Sequence, residues 1–134
     1  MIHFDTFFVV DLLREASMGG VGPANSLLDS LPDEEMAISV FALCELLAGA
    51  GLAARSLQER QKVRAFCSNL RVVYPAGDFA ATYGTLYATT RRSGRNSGVM
   101  DLLIATAAVR ENAHLVTRDR TDFLDITDLG LITY

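Results

Sequence analysis

The sequence predicts an α/β fold, a three-layer sandwich with a short-stranded parallel central sheet and helices on both faces, in a single domain over residues 1–134. Short apolar runs, too brief for helices, alternate with stretches whose apolar residues recur at helical spacing. Gly, Pro and polar clusters separate the two kinds of segment. Strands that alternate with helices pair in parallel through right-handed crossovers, which covers both sheet faces.

Ile2 to Asp5 reads as a short buried strand, and Thr6 to Arg14 as a helix with Phe7, Val10 and Leu13 on its apolar face. Gly19-Gly20 and Gly22-Pro23 interrupt the chain before a short helix, Ala24 to Leu31. The polar Pro32–Glu35 connection leads into an apolar strand around Ala37, Ile38 and Ser39, then a helix from Val40 to about Ala50. Leu57 to Leu70 carries Val63, Phe66 and Leu70 at helical spacing, and Arg71 to Tyr74 is a strand stopped by Pro75. Asp78 caps a helix from Phe79 to about Arg92, whose stripe of Phe79, Tyr83, Leu86 and Tyr87 reads as core. Val99 to Glu111 is a strongly apolar helix, His114 to Thr117 a strand, Asp119 to Phe123 a turn and Leu131 to Thr133 a final strand.

Half of the residues are hydrophobic and about a fifth are charged, as in ordinary folded proteins. Met1 to Asp5 shows no basic leader or cleavage site, and Met36 to Ala54 contains Glu45, Ser39 and Gly49-Ala50-Gly51. No membrane span is expected. Cys44 and Cys67 suit a reducing cytosol, which places the protein in the cytoplasm. A net charge of −4 argues against nucleic-acid binding through overall electrostatics and leaves room for local basic patches.

In open parallel sheets ligands sit beyond the carboxyl ends of the strands, so residues just after each strand are the informative ones. Asp5 ends the first strand, and Asp119 lies two residues beyond Thr117 on the same rim. Glu45 is the only charge between Glu35 and Arg55, and Asp101 the only one between Arg95 and Arg110. A carboxylate in apolar surroundings costs several kcal/mol unless something pairs with it, and no nearby Lys or Arg does. Each acid alone has a plainer reading: a helix N-terminus favours Asp101, and Asp5 and Asp119 suit turns. Together on one rim they repel one another unless a cation sits among them, and an all-oxygen set selects Mg2+ or Mn2+. Such a centre activates water for phosphodiester displacement. His3 and His114 lack partners at ligand spacing, and Asp11, Asp29, Asp125 and Asp128 read as surface acids.

Phe4-Asp5-Thr6 before a helix, Ile38-Ser39 followed by Glu45-Leu46-Leu47-Ala48-Gly49, Asp101 to Ala108, and Leu115-Val116-Thr117-Arg118-Asp119 with Asp122-Phe123 together resemble the PIN domain, closest to VapC-like toxins. The resemblance covers nearly the whole chain in order and spacing. It implies a metal-dependent ribonuclease with Asp5, Glu45, Asp101 and Asp119 as catalytic metal ligands, and Thr6 as a supporting hydrogen-bond donor. Many relatives carry Asn where Asp119 stands, so Asp122 could serve instead or in addition. A homodimer, an RNA substrate and a small antitoxin covering the groove are also implied. Arg91, Arg92, Arg95, Arg118 and Arg120 flank the acids and are positioned to meet RNA phosphates.

Two alternatives stand beside it: a catalytically silent PIN-like module that binds RNA or protein, and a nuclease acting on other nucleic acid in processing or repair. A dehalogenase-type phosphatase would need an acid where Phe7 stands, and a receiver domain a late lysine, whereas the only lysine is Lys62.

Overall fold

A computed structural model of the protein describes every residue except Thr127. Five strands, β1 (Ile2–Phe4), β2 (Met36–Ser39), β3 (Arg71–Val73), β4 (His114–Val116) and β5 (Gly130–Ile132), form one parallel sheet in the order β3-β2-β1-β4-β5. Six helices complete an α/β sandwich: α1 (Thr6–Ser17), α2 (Pro23–Ser30), α3 (Val40–Leu52), α4 (Ser56–Cys67), α5 (Phe79–Arg92) and α6 (Val99–Arg110). A 3-10 turn, Arg120–Asp122, lies between β4 and β5. The elements follow the sequence expectation closely. The differences in length are α1, which runs about one turn past Arg14, α3, which continues through Gly49 and Gly51 to Leu52, and α4, which ends at Cys67 and not at Leu70.

The chain builds β1, β2 and β3 outward in one direction, then returns to the other side of β1 to add β4 and β5. That reversal opens a crevice at the carboxyl ends of β1 and β4, where an open parallel sheet receives its ligand. β1 is fully buried, and Asp5 N–H donates to the Val116 carbonyl (3.0 Å), tying the ends of the two strands together. Phe4, Phe8, Ile38, Leu102, Ile104, Leu115 and Phe123 fill the core, and Phe4 meets Phe8 edge to face at 4.9 Å. Such an aromatic pair contributes about 0.5–1.5 kcal/mol beyond its buried area. α6 places Ile104, Ala105 and Ala108 in the core, as its periodicity predicts.

The buried face of α1 is not the expected one. Phe8, Val9 and Leu12 point inward together with Asp11 and Glu15, whereas Phe7 and Val10 are exposed. Both acids are tolerated inside because tertiary partners neutralise or cap them: Asp11 binds Arg14, Arg118 and Tyr134, and Glu15 binds the amino end of α2. Asp11 is therefore no surface acid. On α5 the buried residues are Leu86 and Thr90, while Tyr87 lies at the surface beneath the Arg91 guanidinium. Asp78 occupies the cap position of α5 without a side-chain cap bond. Among the described residues no helix is long and apolar enough to cross a membrane.

Candidate metal centre

Asp5 follows β1 directly and is the N-cap of α1, its Oδ1 accepting from Thr6 N–H at 2.8 Å. Its Oδ2 accepts from Thr117 Oγ1 at 2.8 Å, and Thr117 Oγ1 in turn accepts from Asp119 N–H at 3.1 Å. On the other side, Thr6 Oγ1 donates to Glu45 Oε1 at 2.6 Å. Two threonines thus link the start of α1, α3 and the loop after β4 into one chain of hydrogen bonds. Thr6 donates its hydroxyl to the carboxylate of Glu45, an acid of the expected set. Thr117 was not singled out in the sequence, although a hydroxyl at a strand end beside the crevice was a visible signal.

Asp101 sits in the first turn of α6, where Gly98 is the N-cap residue. Burial pushes its carboxyl up to about 6, with further repulsion from Asp122, Asp5, Glu45 and Asp119 in descending order. Burial likewise raises Asp5 to about 6, against the hydrogen bonds from Thr117 and Thr6, and Glu45 and Asp122 add to the rise. The five acids therefore share one field. Among the described residues none of the five forms an ion pair with Lys or Arg. Glu45, mid-helix in a segment of apolar neighbours, gains nothing from a helix terminus.

Asp119 and Asp122 take different roles. Asp119 Oδ1 accepts from Thr121 N–H (3.1 Å) and Thr121 Oγ1 (2.6 Å), so this carboxylate caps the 3-10 turn, and the Thr121 hydroxyl holds it below its usual range. Burial raises Asp122, with Asp119 adding to it. Asp122 is the one of the two whose charge weighs on Asp5, and it outweighs Asp119 at Asp101.

Among the described residues no three acidic, His or Cys side chains converge on a single point. Glu45 Oε1 accepts from Thr6 and Asp119 Oδ1 from Thr121. The donor set nevertheless suits a hard divalent ion: its five members are all carboxylates, with no sulfur or imidazole, and none is in an ion pair among the described residues. A cleft of about 490 Å³ between α1, α3 and α4 is bordered by Thr6 and Glu45, and another of about 420 Å³ by Ser97, Thr121 and Asp122.

The expected phosphate-binding arginines divide. Arg118 is bound to Asp11, Arg95 pairs with Asp125 and donates to the Thr121 carbonyl (3.3 Å), and Arg91 bonds Asn96. Arg92 and Arg120 are exposed and form no ion pair among the described residues. His3 is buried in β1 with neither ring nitrogen bonded, and His114 stands at the start of β4, as expected.

A parallel sheet of this order with carboxylates gathered at its reversal defines a class, the PIN-type α/β folds. The PIN domain profile matches residues 2–129, and the chain belongs to the PIN domain family. It is 34% identical over 96 residues to Ribonuclease VapC2 of Rickettsia felis, covering 72% of each chain. It is 31% identical over 99 residues to Ribonuclease VapC1 of Haemophilus influenzae, covering 74% of each. The solved structure of VapBC2 from Rickettsia felis, bound to a DNA fragment from their promoter, superposes with a TM-score of 0.89 at 29% identity. That match covers 100% of this chain and 99% of the other.

Proposed function

We propose that this protein is a Mg2+- or Mn2+-dependent endoribonuclease, the toxin of a toxin–antitoxin pair acting in the cytoplasm. The observation that carries the reading is that Asp5, Glu45, Asp101, Asp119 and Asp122 act on one another at the sheet reversal, and among the described residues none of them forms an ion pair with Lys or Arg. Membership of the PIN family and similarity to proteins named Ribonuclease VapC support the substrate class.

Asp5, Glu45, Asp101 and Asp122 would hold the ion, with Asp119 mainly securing the turn that carries Asp122. Bound there, a divalent ion supplies charge for the phosphate oxygens and lowers the pKa of water. Thr6 and Thr117 fix Glu45 and Asp5 by donating to their carboxylates. Arg92 and Arg120 are exposed cations available to the RNA backbone. The cleft from Thr6 and Glu45 to Lys62 and Val63, lined by Val10, Leu13 and Leu46, suits a small antitoxin segment with an apolar face, and a homodimer completes the assembly.

Cleavage of a mixed structured-RNA pool with Mn2+, and then with chelator, tests the reading. Asp5→Asn, Glu45→Gln and Asp101→Asn are each expected to abolish cleavage while circular dichroism stays native. Asp122→Asn should reduce turnover more than Asp119→Asn, because the Asp122 charge weighs more on Asp101 than that of Asp119 and also reaches Asp5. Cleavage persisting in Asp101→Asn, or under chelator, would remove the metal mechanism.

A further inference from the structure

Asp11 is an acid on α1 with 3% of its surface exposed, and three groups meet it. Arg118 Nη1 donates to both its oxygens, at 3.1 and 3.2 Å. Tyr134 OH donates to Oδ2 at 2.7 Å, and Arg14 Nη2 lies 2.9 Å from Oδ1. The Arg118 guanidinium also lies over the ring of Phe7 at 4.5 Å, and the Tyr134 ring packs on Phe8 at 5.1 Å. Arg118 is thus bound on two sides by one helix. The Arg118 side chain stays 44% exposed, and Asp11 engages it through Nη1.

The position of Arg118 in the chain gives this contact a use. It lies between Thr117, whose hydroxyl donates to Asp5, and Asp119, which caps the turn carrying Asp122. The anchor and the first acid sit on the same rigid element, since Asp5 caps α1 and Asp11 lies six residues along it, about 9 Å. We propose that Asp11, Arg118 and Tyr134 form a clamp that locks the loop after β4 onto α1. It sets Thr117, Asp119 and Asp122 against Asp5, and Arg118 is a positioning residue, not a phosphate contact. This rests on the metal-dependent reading above. Supporting contacts beyond the ligands typically govern metal affinity 10–100-fold, and a contact one step further out belongs at the lower end.

The test is Mn2+ binding by the RNA-free protein, read from the electron paramagnetic resonance signal of free Mn2+, alongside RNA cleavage kinetics. Arg118→Ala and Asp11→Asn should each weaken Mn2+ binding by about tenfold, and the double variant no further, because one clamp is lost either way. Arg118→Lys, which keeps a charged donor for Asp11, should recover most of that affinity. If Arg118→Ala fails to fold, Arg118→Gln keeps the stem on Phe7 and carries the same comparison. Mn2+ affinity within twofold of wild type, with a raised KM for RNA and a shallower salt dependence, would overturn the clamp and make Arg118 a phosphate contact. A wild-type protein that binds no Mn2+ would overturn the metal reading itself, a distinguishable result.

Discussion

Asp101 shows how one residue can be unfavourable for folding and useful for binding. Its carboxyl, like that of Asp5, is raised to about 6 from an ordinary 3.8, chiefly by burial and then by neighbouring acids. A carboxyl raised in the folded state binds its proton more tightly folded than unfolded. Its unfavourable contribution is therefore full above about pH 6 and is relieved as pH falls toward 4. Asp101→Asn should stabilise the metal-free protein by on the order of 1–2 kcal/mol at pH 7.5, with the gain fading by pH 4. His3 works in the opposite sense: burial lowers it to about 4, so stability is lost as pH falls below 6.5 toward 4. Comparing Asp101→Asn with wild type at each pH by urea denaturation cancels the His3 contribution. Equal stability of the two proteins at pH 7.5 would return Asp101 to the role of an ordinary helix-terminus acid. Asp101 and Glu45 were legible in the sequence because each stands alone in a long uncharged stretch. Asp11 was not: Arg14 pairs with it from the same helix, but Arg118 and Tyr134, which also bind it, are more than a hundred positions away.

At the scale of elements, the α1–α2 corner depends on a contact that periodicity hides. Glu15 accepts from Ala24 N–H (3.0 Å), Asn25 N–H (2.9 Å) and Asn25 Nδ2 (2.8 Å), so a side chain of one helix caps the next. Burial opposes the charge on Glu15, but the hydrogen bonds from Asn25 and Ala24 outweigh it and hold the carboxyl below its ordinary value. The cap thus contributes above the ordinary glutamate range and is lost as pH falls through the lowered value. Gly22 makes the approach possible: a Cβ there would fall 1.9 Å from Glu15 Oε1. Gly22→Ala should therefore destabilise by about 1–3 kcal/mol through crowding, and Glu15→Gln should flatten the acid limb of stability against pH. Both are read from chemical denaturation between pH 3 and 7, and an unchanged Gly22→Ala midpoint would mean that the corner relaxes freely. The sequence revealed strands and helices here because apolar spacing decides them. It misassigned the inward face of α1 because charge at positions 11 and 15 reads as solvent-facing until its partners are known.

Across the whole molecule, the sheet order explains why acids from four separate segments act on one another. The reversal at β1 sets the end of β1 beside the end of β4, and the helices α3 and α6 bring Glu45 and Asp101 to the same crevice. Parallel pairing and the carboxyl-end rule made the shared rim of Asp5 and Asp119 legible in advance. The identity of the fourth acid was not, since Asp119 and Asp122 differ only in how the 3-10 turn directs them. On the metal-dependent reading proposed above, this much like charge weakens the fold until an ion binds, which would couple global stability to the divalent ion. A ligand present at about a hundred times its dissociation constant adds roughly 2.7 kcal/mol, which for a chain of this size is a rise in Tm of roughly 10 °C. Wild-type protein should show that rise with Mn2+ in thermal melts, Ca2+ and Na+ serving as charge controls. Asp101→Asn should begin from a higher Tm without metal and gain little on its addition. That crossing of the two proteins separates a metal centre from general screening of a net charge of −4, because screening would raise both midpoints alike. Parallel rises in wild type and Asp101→Asn would therefore leave the acids without a specific ion.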